Sequence, residues 1–275
     1  MNEPASAAPG PGASELKRRV VSALVLAAAV LAVTLWGGWP FRLVWVLVAG
    51  IVAYEWLSIV SRANAVAAGA GVAVAGLALA LLPLSSAAVV GVTAAAALLG
   101  ALSAPFVRGR LPLELCGVAY ALAFAIITPA LRDWPVAGLA LILWSFAVVW
   151  LTDIAAYFTG RTLGGPKLMP RVSPKKTWSG AIGGTLAGTV AGALIWSWAA
   201  TGGFGVNGRV LAASLAASVA SQAGDLYESA LKRRFGTKDS SGLIPGHGGF
   251  LDRLDGYWAV LVLAGLALFA FHIEL

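Results

Sequence analysis

Acidic residues stand out in this sequence because several of them fall inside or at the edges of long apolar runs. Glu55, Asp153, Asp225 and Glu228 occupy such positions. A carboxylate near the centre of a bilayer costs about 2.5–3.5 kcal/mol on insertion scales, so such residues usually face a cavity or a partner. Asp225, Glu228 and Lys232 share one helical face. These acids are therefore candidates for chemistry, with a structural Glu228–Lys232 ion pair as the alternative.

The segment that follows, up to about residue 255, adds three more acids, Asp239, Asp252 and Asp255. Several carboxylates suit a hard divalent cation such as Mg²⁺, whereas zinc sites usually need more histidine and cysteine than this chain has. His247 lies between glycines, and glycine allows the backbone to approach a ligand closely. These residues predict a magnesium site in this segment.

A second charged loop runs through Ser173-Pro-Lys-Lys-Thr177, just before the seventh apolar run. Lysines beside carboxylates indicate phosphate chemistry, because Mg²⁺ bridges phosphate oxygens and basic side chains neutralise the remaining charge. The free N–H groups at the start of the following helix could also hold an anion. Juxtamembrane lysines that only set topology are the alternative. The chain has no P-loop, GxGxxG or HExxH pattern.

The composition places these residues in a membrane protein. Of the 275 residues, 59% are hydrophobic and only 11% are charged. The net charge of +7 is therefore expected to set topology and attract anionic lipid, and no nucleic-acid partner is expected. The single cysteine, Cys116, excludes an intrachain disulfide and is expected to be a buried apolar residue.

Nine apolar runs are long enough to be candidate membrane spans, each needing about 20 residues. They cover about 20–36, 41–60, 65–83, 86–104, 114–131, 135–158, 180–200, 209–231 and 256–273. With the N-terminus in the cytoplasm, 16 of the 19 Lys and Arg residues fall on the cytoplasmic side and 3 on the other. The positive-inside rule thus predicts an all-α, multi-pass protein with both charged loops facing the cytoplasm.

The chain is expected to form one integral membrane domain with unevenly distributed chemistry. We expect a disordered tail over residues 1–14, an N-terminal transmembrane bundle over 15–133 and a catalytic transmembrane half over 134–275. Gly180, Gly184, Gly188 and Gly192 recur at every fourth position and line one helix face. Packing within the chain is the favoured use of this face, and a homodimer seam is the alternative.

Four motifs in residues 150–256 resemble the phosphatidate cytidylyltransferase family, also called CDP-diacylglycerol synthases. The most specific runs from Ser229 to Asp255, with SALKR at its start, KD at 238–239 and PGHGGFLDRLD at its end. The segments DIAAYFTGR from Asp153, SPKKT from Ser173 and GDLYES from Gly224 are also similar. Ser179 stands where the family often has glutamate, and Asp153-Ile-Ala where it often has Asp-Thr-Gly.

The resemblance implies an enzyme that joins CTP to phosphatidic acid and releases pyrophosphate. It implies Mg²⁺ held by Asp225 and Asp252, with a second, monovalent cation (K⁺) beside it. The implied catalytic residues are Asp225, Asp252, Lys232, Asp239 and Asp255. The implied substrate-binding residues are Lys175, Lys176, Lys238, His247, Gly248, Gly249, Arg253, Asp153 and Glu228. The expected location is the bacterial inner membrane, with the active site facing the cytoplasm.

Two other functions fit part of the pattern. A CTP-dependent transferase that acts on another membrane lipid, such as a lipid alcohol, would use a similar loop. A polytopic transporter would also explain intramembrane acids, but the two halves show no inverted repeat and the charge gathers on one side.

Overall fold

The fold is described from a computed structural model for residues 13–61, 65–81, 87–106, 109–135, 137–201, 206–244 and 248–270. Most of the predicted tail, residues 1–12, lies outside the described residues. Ala13 and Ser14, which were expected to belong to the tail, instead begin the first helix. His247 also lies outside the described residues.

Nine α-helices run through the described part of the chain, one for each predicted apolar run. They are α1 (Ala13–Trp36), α2 (Gly38–Val60), α3 (Ala65–Leu81), α4 (Ala87–Ser103), α5 (Arg110–Arg132), α6 (Gly138–Leu163), α7 (Trp178–Thr201), α8 (Gly208–Arg234) and α9 (Leu251–Gly265), which continues into a π-helical turn, Leu266–Ala270. The predicted helical class is confirmed.

Four of these described helices are long and apolar enough to cross a membrane. They cover Gly38–Val60, Leu111–Arg132, Gly138–Leu163 and Trp178–Ala200. Shorter apolar helices cover Val20–Trp36, Ala65–Ala78 and Val89–Ser103. The chain is thus an all-α membrane protein.

Two helix boundaries differ from the predicted spans in the part that matters for function. The sixth helix continues to Leu163, five residues beyond its predicted end, so Arg161 also lies within it. The ninth begins at Leu251, five residues earlier than predicted, and carries Asp252 in its first turn. The early start of α9 has a physical cause: the buried Glu55 carboxylate accepts the N–H groups of Phe250 and Leu251. Hydropathy alone does not reveal this cap.

A small antiparallel hairpin joins α6 to α7. Strand β1 (Lys167–Met169) pairs with β2 (Ser173–Thr177), with Lys167 opposite Thr177 and Met169 opposite Ser173. The sequence predicted only a loop here. Thr177 connects the hairpin to the next helix, because its hydroxyl accepts the Gly180 N–H at 3.1 Å. The two lysines of β2 are therefore carried on a short strand at the start of α7.

The glycine face of α7 packs against α6 within the same chain. A Cβ built on Gly184 would lie 2.8 Å from the Ala156 Cβ, and one on Gly180 would lie 2.8 Å from the Ala156 carbonyl oxygen. Such distances leave no room for a side chain, so only glycine allows this approach. The glycine face is therefore used for packing within the chain, which is the use that the sequence favoured.

Aromatic side chains from both halves of the chain form a common core. Trp45 of α2 stacks on Tyr257 of α9 with ring centroids 5.2 Å apart. Tyr120 of α5 stacks on Trp258 of α9 at 4.2 Å, and the Trp258 indole donates to the Tyr120 carbonyl oxygen. The charged end of α9 is therefore fixed by contacts with α2 and α5.

The turns between α1 and α2 and between α5 and α6 lie at one end of the bundle. Arg42 forms an ion pair with Asp133 at 2.5 Å. Arg132 donates from Nε to the Thr34 carbonyl oxygen at 2.9 Å. These turns therefore lie on the same side, as helices that alternate in direction require.

The C-terminal ends of α4 and α8 and the N-terminal end of α5 lie at the opposite end of the bundle. Arg234 donates to the Ala104 carbonyl oxygen at 2.5 Å, and the Trp56 indole donates to the Leu113 carbonyl oxygen at 3.0 Å. The hairpin and the start of α9 also lie at this end, so the predicted site residues come from elements that meet there.

Candidate active site

The structure places the predicted site residues on four elements and on the segment that joins the last two. Asp153 lies in α6, and Lys175 and Lys176 lie on β2. Helix α8 carries Asp225, Glu228 and Lys232, and the first turns of α9 carry Asp252, Arg253 and Asp255. The segment between these two helices holds Lys238, Asp239, Gly248 and Gly249.

Lys232 bridges two carboxylates inside the protein. Its Nζ lies 2.7 Å from Glu228 Oε2 and 2.5 Å from Asp252 Oδ1. Lys232 is 8% exposed and Glu228 is 1% exposed. The i, i+4 pair foreseen for Glu228 and Lys232 is present, and it extends to Asp252 on the next helix. One buried cation thus joins the end of α8 to the start of α9.

Asp252 organises the segment that precedes it. Both of its carboxylate oxygens accept the Ser240 N–H, and Oδ2 also accepts the Gly249 N–H at 2.8 Å. Burial acts to raise the pKa of Asp252, but the Gly249 N–H and the Lys232 ammonium outweigh it and hold the pKa below its ordinary value. Asp252 is therefore held in its ionised form.

The Gly248 turn beside Asp252 has a backbone that favours glycine. Its φ is +82°, and a Cβ there would lie 2.5 Å from Asp252 Oδ2 and 3.7 Å from the Asp239 Cβ. Asp239 is therefore close to this turn, although its side chain is exposed, as is that of Lys238. Both remain candidates for contact with a soluble ligand.

A second carboxylate–lysine contact joins the hairpin to α8. Lys176 Nζ lies 2.5 Å from Asp225 Oδ2, and the Ser229 hydroxyl donates to Asp225 Oδ1 at 3.3 Å. The side chains of Lys176 and Asp225 are about a third exposed, at 27% and 32%. This ion pair is open to solvent and could exchange partners, unlike the buried Lys232 bridge. Lys175, the neighbouring lysine, is exposed.

Asp153, Asp225 and Asp255 are close enough for their charges to repel one another. Lys176 and Arg253 attract Asp153 and so offset part of this repulsion. Asp255 is buried, and its Oδ1 accepts its neighbour's N–H, that of Gly256, at 2.7 Å. Three acids from α6, α8 and α9 therefore lie near one another beside the hairpin lysine, an arrangement that a bound cation would stabilise.

Ser179, which stands where the resembled family often has glutamate, takes a local structural position. Its hydroxyl donates to the Gly164 carbonyl oxygen and is 3.0 Å from the Thr177 hydroxyl. Ser179 thus connects the C-terminal end of α6 to the start of α7, the two helices that the hairpin joins.

Glu55 is the acid that the sequence singled out as a candidate without assigning it a specific role. It lies in the apolar helix α2, is fully buried, and accepts hydrogen bonds from Ser240, Ser241, Phe250 and Leu251. An acid inside an apolar run signals that a partner exists. The sequence could not name that partner, because it lies 185 residues or more along the chain.

The arrangement has the features needed to bind phosphate. Solvent-accessible lysines adjoin a group of carboxylates at one end of an apolar bundle. Within the described residues, no group of three or more His, Cys, Asp or Glu side chains is placed to hold a metal ion. Mg²⁺ commonly uses only one or two carboxylates together with substrate phosphates, so the oxygen donors present here fit that ion.

Comparison with known proteins agrees with this chemistry. A model of the cytidylyltransferase family matches residues 17–271. The phosphatidate cytidylyltransferase of Brucella suis biovar 1 (strain 1330) is 43% identical over 264 residues, which cover 94% of this chain and 95% of the relative. The protein of that name from Brucella melitensis biotype 1 matches to the same extent. The one from Staphylococcus haemolyticus is 42% identical over 132 residues, covering 48% of this chain and 50% of the relative.

The family match includes every predicted site residue, from Asp153 to Asp255. It also includes α2 and the Glu55 position, where the sequence motifs gave no guidance. The family resemblance identified from the motifs is confirmed. The chain therefore belongs to the cytidylyltransferase family.

Proposed function

We propose that this protein is a phosphatidate cytidylyltransferase, which converts CTP and phosphatidic acid to CDP-diacylglycerol and pyrophosphate. A phosphate oxygen of the lipid attacks the α-phosphorus of CTP, and the bond from that phosphorus to the bridging oxygen breaks. Pyrophosphate carries away the electron pair. The observation that carries the proposal is the 43% identity to proteins of that name along nearly the whole chain.

The geometry supports a reaction between a soluble and a membrane-bound substrate. The candidate site lies at one end of an apolar bundle, where Lys175 and Lys238 are exposed and Lys176 is partly exposed. In such a transfer, positioning of the phosphate groups and neutralisation of their charge contribute most of the catalysis. We assign these lysines, with Arg253, to the phosphates of CTP and of the lipid. Gly248 and Gly249 would let the nucleotide approach the backbone, and His247 remains a predicted contact.

We further propose that the enzyme uses Mg²⁺, with Asp225 and Asp252 as its protein ligands. The ion, when bound, would neutralise charge that develops on the departing pyrophosphate. Asp225 is the more accessible of the two, because incoming phosphate can draw Lys176 away from it. Asp252 would have to exchange Lys232 for the ion. A monovalent cation such as K⁺ beside Mg²⁺ stays a prediction, as does a homodimer.

We propose that all nine helices span the bacterial inner membrane, with the N-terminus and the site on the cytoplasmic side. The distribution of Lys and Arg, 16 on one side and 3 on the other, supports this orientation. The described turns between helices lie at two opposite ends of the bundle, which agrees with this orientation. A membrane-impermeant thiol reagent should label Val206→Cys from outside and Thr237→Cys only from the cytoplasm. Labelling of position 206 only from the cytoplasm would refute this topology.

A panel of lipid acceptors distinguishes the proposal from its alternatives. Purified protein is incubated with CTP, Mg²⁺ and either phosphatidic acid, diacylglycerol or a polyprenol, and the lipid products are identified by mass. The proposal predicts CDP-diacylglycerol from phosphatidic acid and no cytidylated or phosphorylated product from the two alcohols. Product from an alcohol alone would identify the other CTP-dependent transferase. No product from any acceptor would favour a transporter.

A further inference from the structure

Glu55 receives its four described hydrogen bonds from one part of the chain. Ser240 and Ser241 donate from Oγ at 3.0 and 2.6 Å, and Phe250 and Leu251 donate from their backbone N–H groups at 3.0 and 2.7 Å. We call this set, Glu55 with its four donors, the Glu55 clamp. Glu55 has 0% exposure, so these donors replace the water that a carboxylate would otherwise keep.

The Glu55 clamp shares residues with the Asp252 network. Ser240 donates its hydroxyl to Glu55 and its N–H to Asp252. Leu251, whose N–H reaches Glu55, immediately precedes Asp252 at the start of α9. Two carboxylates from different helices therefore hold the same segment. A shift of this segment at Glu55 would move Asp252 and, through it, Lys232.

Tight packing reinforces this coupling. A Cβ on Gly249 would lie 2.6 Å from the Glu55 Cδ, so the Gly249 backbone rests against the carboxylate. The Gly249 N–H in turn donates to Asp252. The Gly249 backbone and the two carboxylates are thus in contact beside the proposed nucleotide site, and Glu55 connects α2 to that site.

We propose that Glu55 is a positioning residue for the transfer reaction, acting through Ser240 and the start of α9 to fix Asp252. The inference rests on the proposed function and assigns α2 a part in it. Glu55 itself touches no substrate. Its charge is required because one neutral amide oxygen cannot accept from four donors, and an amide NH₂ group would face donors instead.

The test compares Glu55→Gln, which keeps the shape and removes the charge, with Asp133→Asn at the opposite end of the bundle. Turnover (kcat) and KM for CTP are measured per folded, monodisperse molecule. Misplacement of a reacting group by about 1 Å can reduce the rate about 100-fold, so kcat of Glu55→Gln should fall by about that factor. Asp133→Asn should retain wild-type kcat, because the described contact of its side chain is the distant ion pair with Arg42.

A second readout follows the segment without relying on activity. Ile244 is 6% exposed, so a cysteine placed there, with the buried Cys116 changed to serine, should react slowly with a thiol reagent. Losing charged hydrogen bonds favours local opening, and labelling should become about 10-fold faster in the Glu55→Gln background. Asp133→Asn should leave the labelling rate unchanged.

Faster labelling together with reduced kcat supports the inference. Normal kcat in folded Glu55→Gln protein overturns it, whatever the labelling rate. Reduced kcat with unchanged labelling also overturns it, because the effect would not pass through this segment. If Glu55→Gln does not fold, Glu55→Asp, which keeps the charge with a shorter reach, takes both measurements. An inactive wild-type protein would refute the proposed function instead, and labelling would still decide whether Glu55 holds the segment.

Discussion

The Lys232 bridge offers the sharpest test of how the site is held together. In Lys232→Met, Glu228 and Asp252 lose the buried cation that lies 2.7 and 2.5 Å from them. Removing one partner from a buried ion pair costs about 3–5 kcal/mol, because the remaining charge is left without compensation. At about 2–4 °C per kcal/mol for a chain of roughly this size, the apparent melting temperature should fall by roughly 6–20 °C.

The assay is thermal unfolding in detergent, followed by the fraction of protein that stays monodisperse. Arg233→Met is the matched control, since Arg233 is exposed and its described contact is a 3.2 Å hydrogen bond to the Thr237 carbonyl oxygen. The double variant Lys232→Met/Asp252→Asn removes one stranded charge and should regain about 1–3 kcal/mol of the loss. Equal losses for Lys232→Met and Arg233→Met would refute a stabilising role for the bridge.

The same variant should change the response to pH. The pKa of Asp252 lies below its ordinary value, so its stabilising contribution is present at neutral pH and is lost as the pH falls through the folded-state pKa. Without the Lys232 ammonium, Asp252 takes up a proton at higher pH than in the wild type. The destabilisation by Lys232→Met should therefore be smaller at about pH 5 than at about pH 8. A loss that is independent of pH would contradict this explanation.

Three further predictions concern the metal, the nucleotide and the packing beside the site. Asp225→Asn should lower kcat and raise the Mg²⁺ concentration needed for half-maximal rate, because a neutral amide oxygen compensates the charge of the ion less well than a carboxylate does. An unchanged Mg²⁺ titration would show that Asp225 is not a metal ligand. Lys175→Ala should raise KM for CTP with little change in melting temperature, since its side chain is exposed, and a normal KM would exclude phosphate contact. Gly184→Leu should destabilise the protein by about 1–3 kcal/mol or more in the unfolding assay, because a side chain at this position meets Ala156. Gly71→Ala is the control and should not destabilise it, because a Cβ at Gly71 would have no atom within 4 Å. Equal effects of the two changes would refute close packing of α6 on α7.

Much of the fold could be predicted because apolar run length is a direct consequence of bilayer thickness. The nine apolar runs correspond to nine helices among the described residues. The Glu228–Lys232 ion pair, which their spacing offered as an alternative to a role in chemistry, is present. The glycine ladder likewise indicated close packing. These features depend on local spacing, which a sequence displays directly.

Contacts between distant segments could not be predicted in this way. Nothing near Glu55 indicates that its partners are Ser240, Ser241 and the start of α9, and hydropathy placed that start five residues too late. The pairing of Lys176 with Asp225 likewise depends on how the hairpin folds over α8. Sequence spacing supplied the candidate residues, whereas the tertiary packing of α2, α8 and α9 decided which of them meet.

The position of the transferred phosphorus tests the proposed function most directly. Purified protein receives phosphatidic acid, Mg²⁺ and CTP labelled with radioactive phosphorus at either the α or the γ position. Attack at the α-phosphorus predicts that α-label enters the lipid as CDP-diacylglycerol while γ-label is recovered only in pyrophosphate. Recovery of γ-label in the lipid, or of no label in it from either nucleotide, would contradict the proposal.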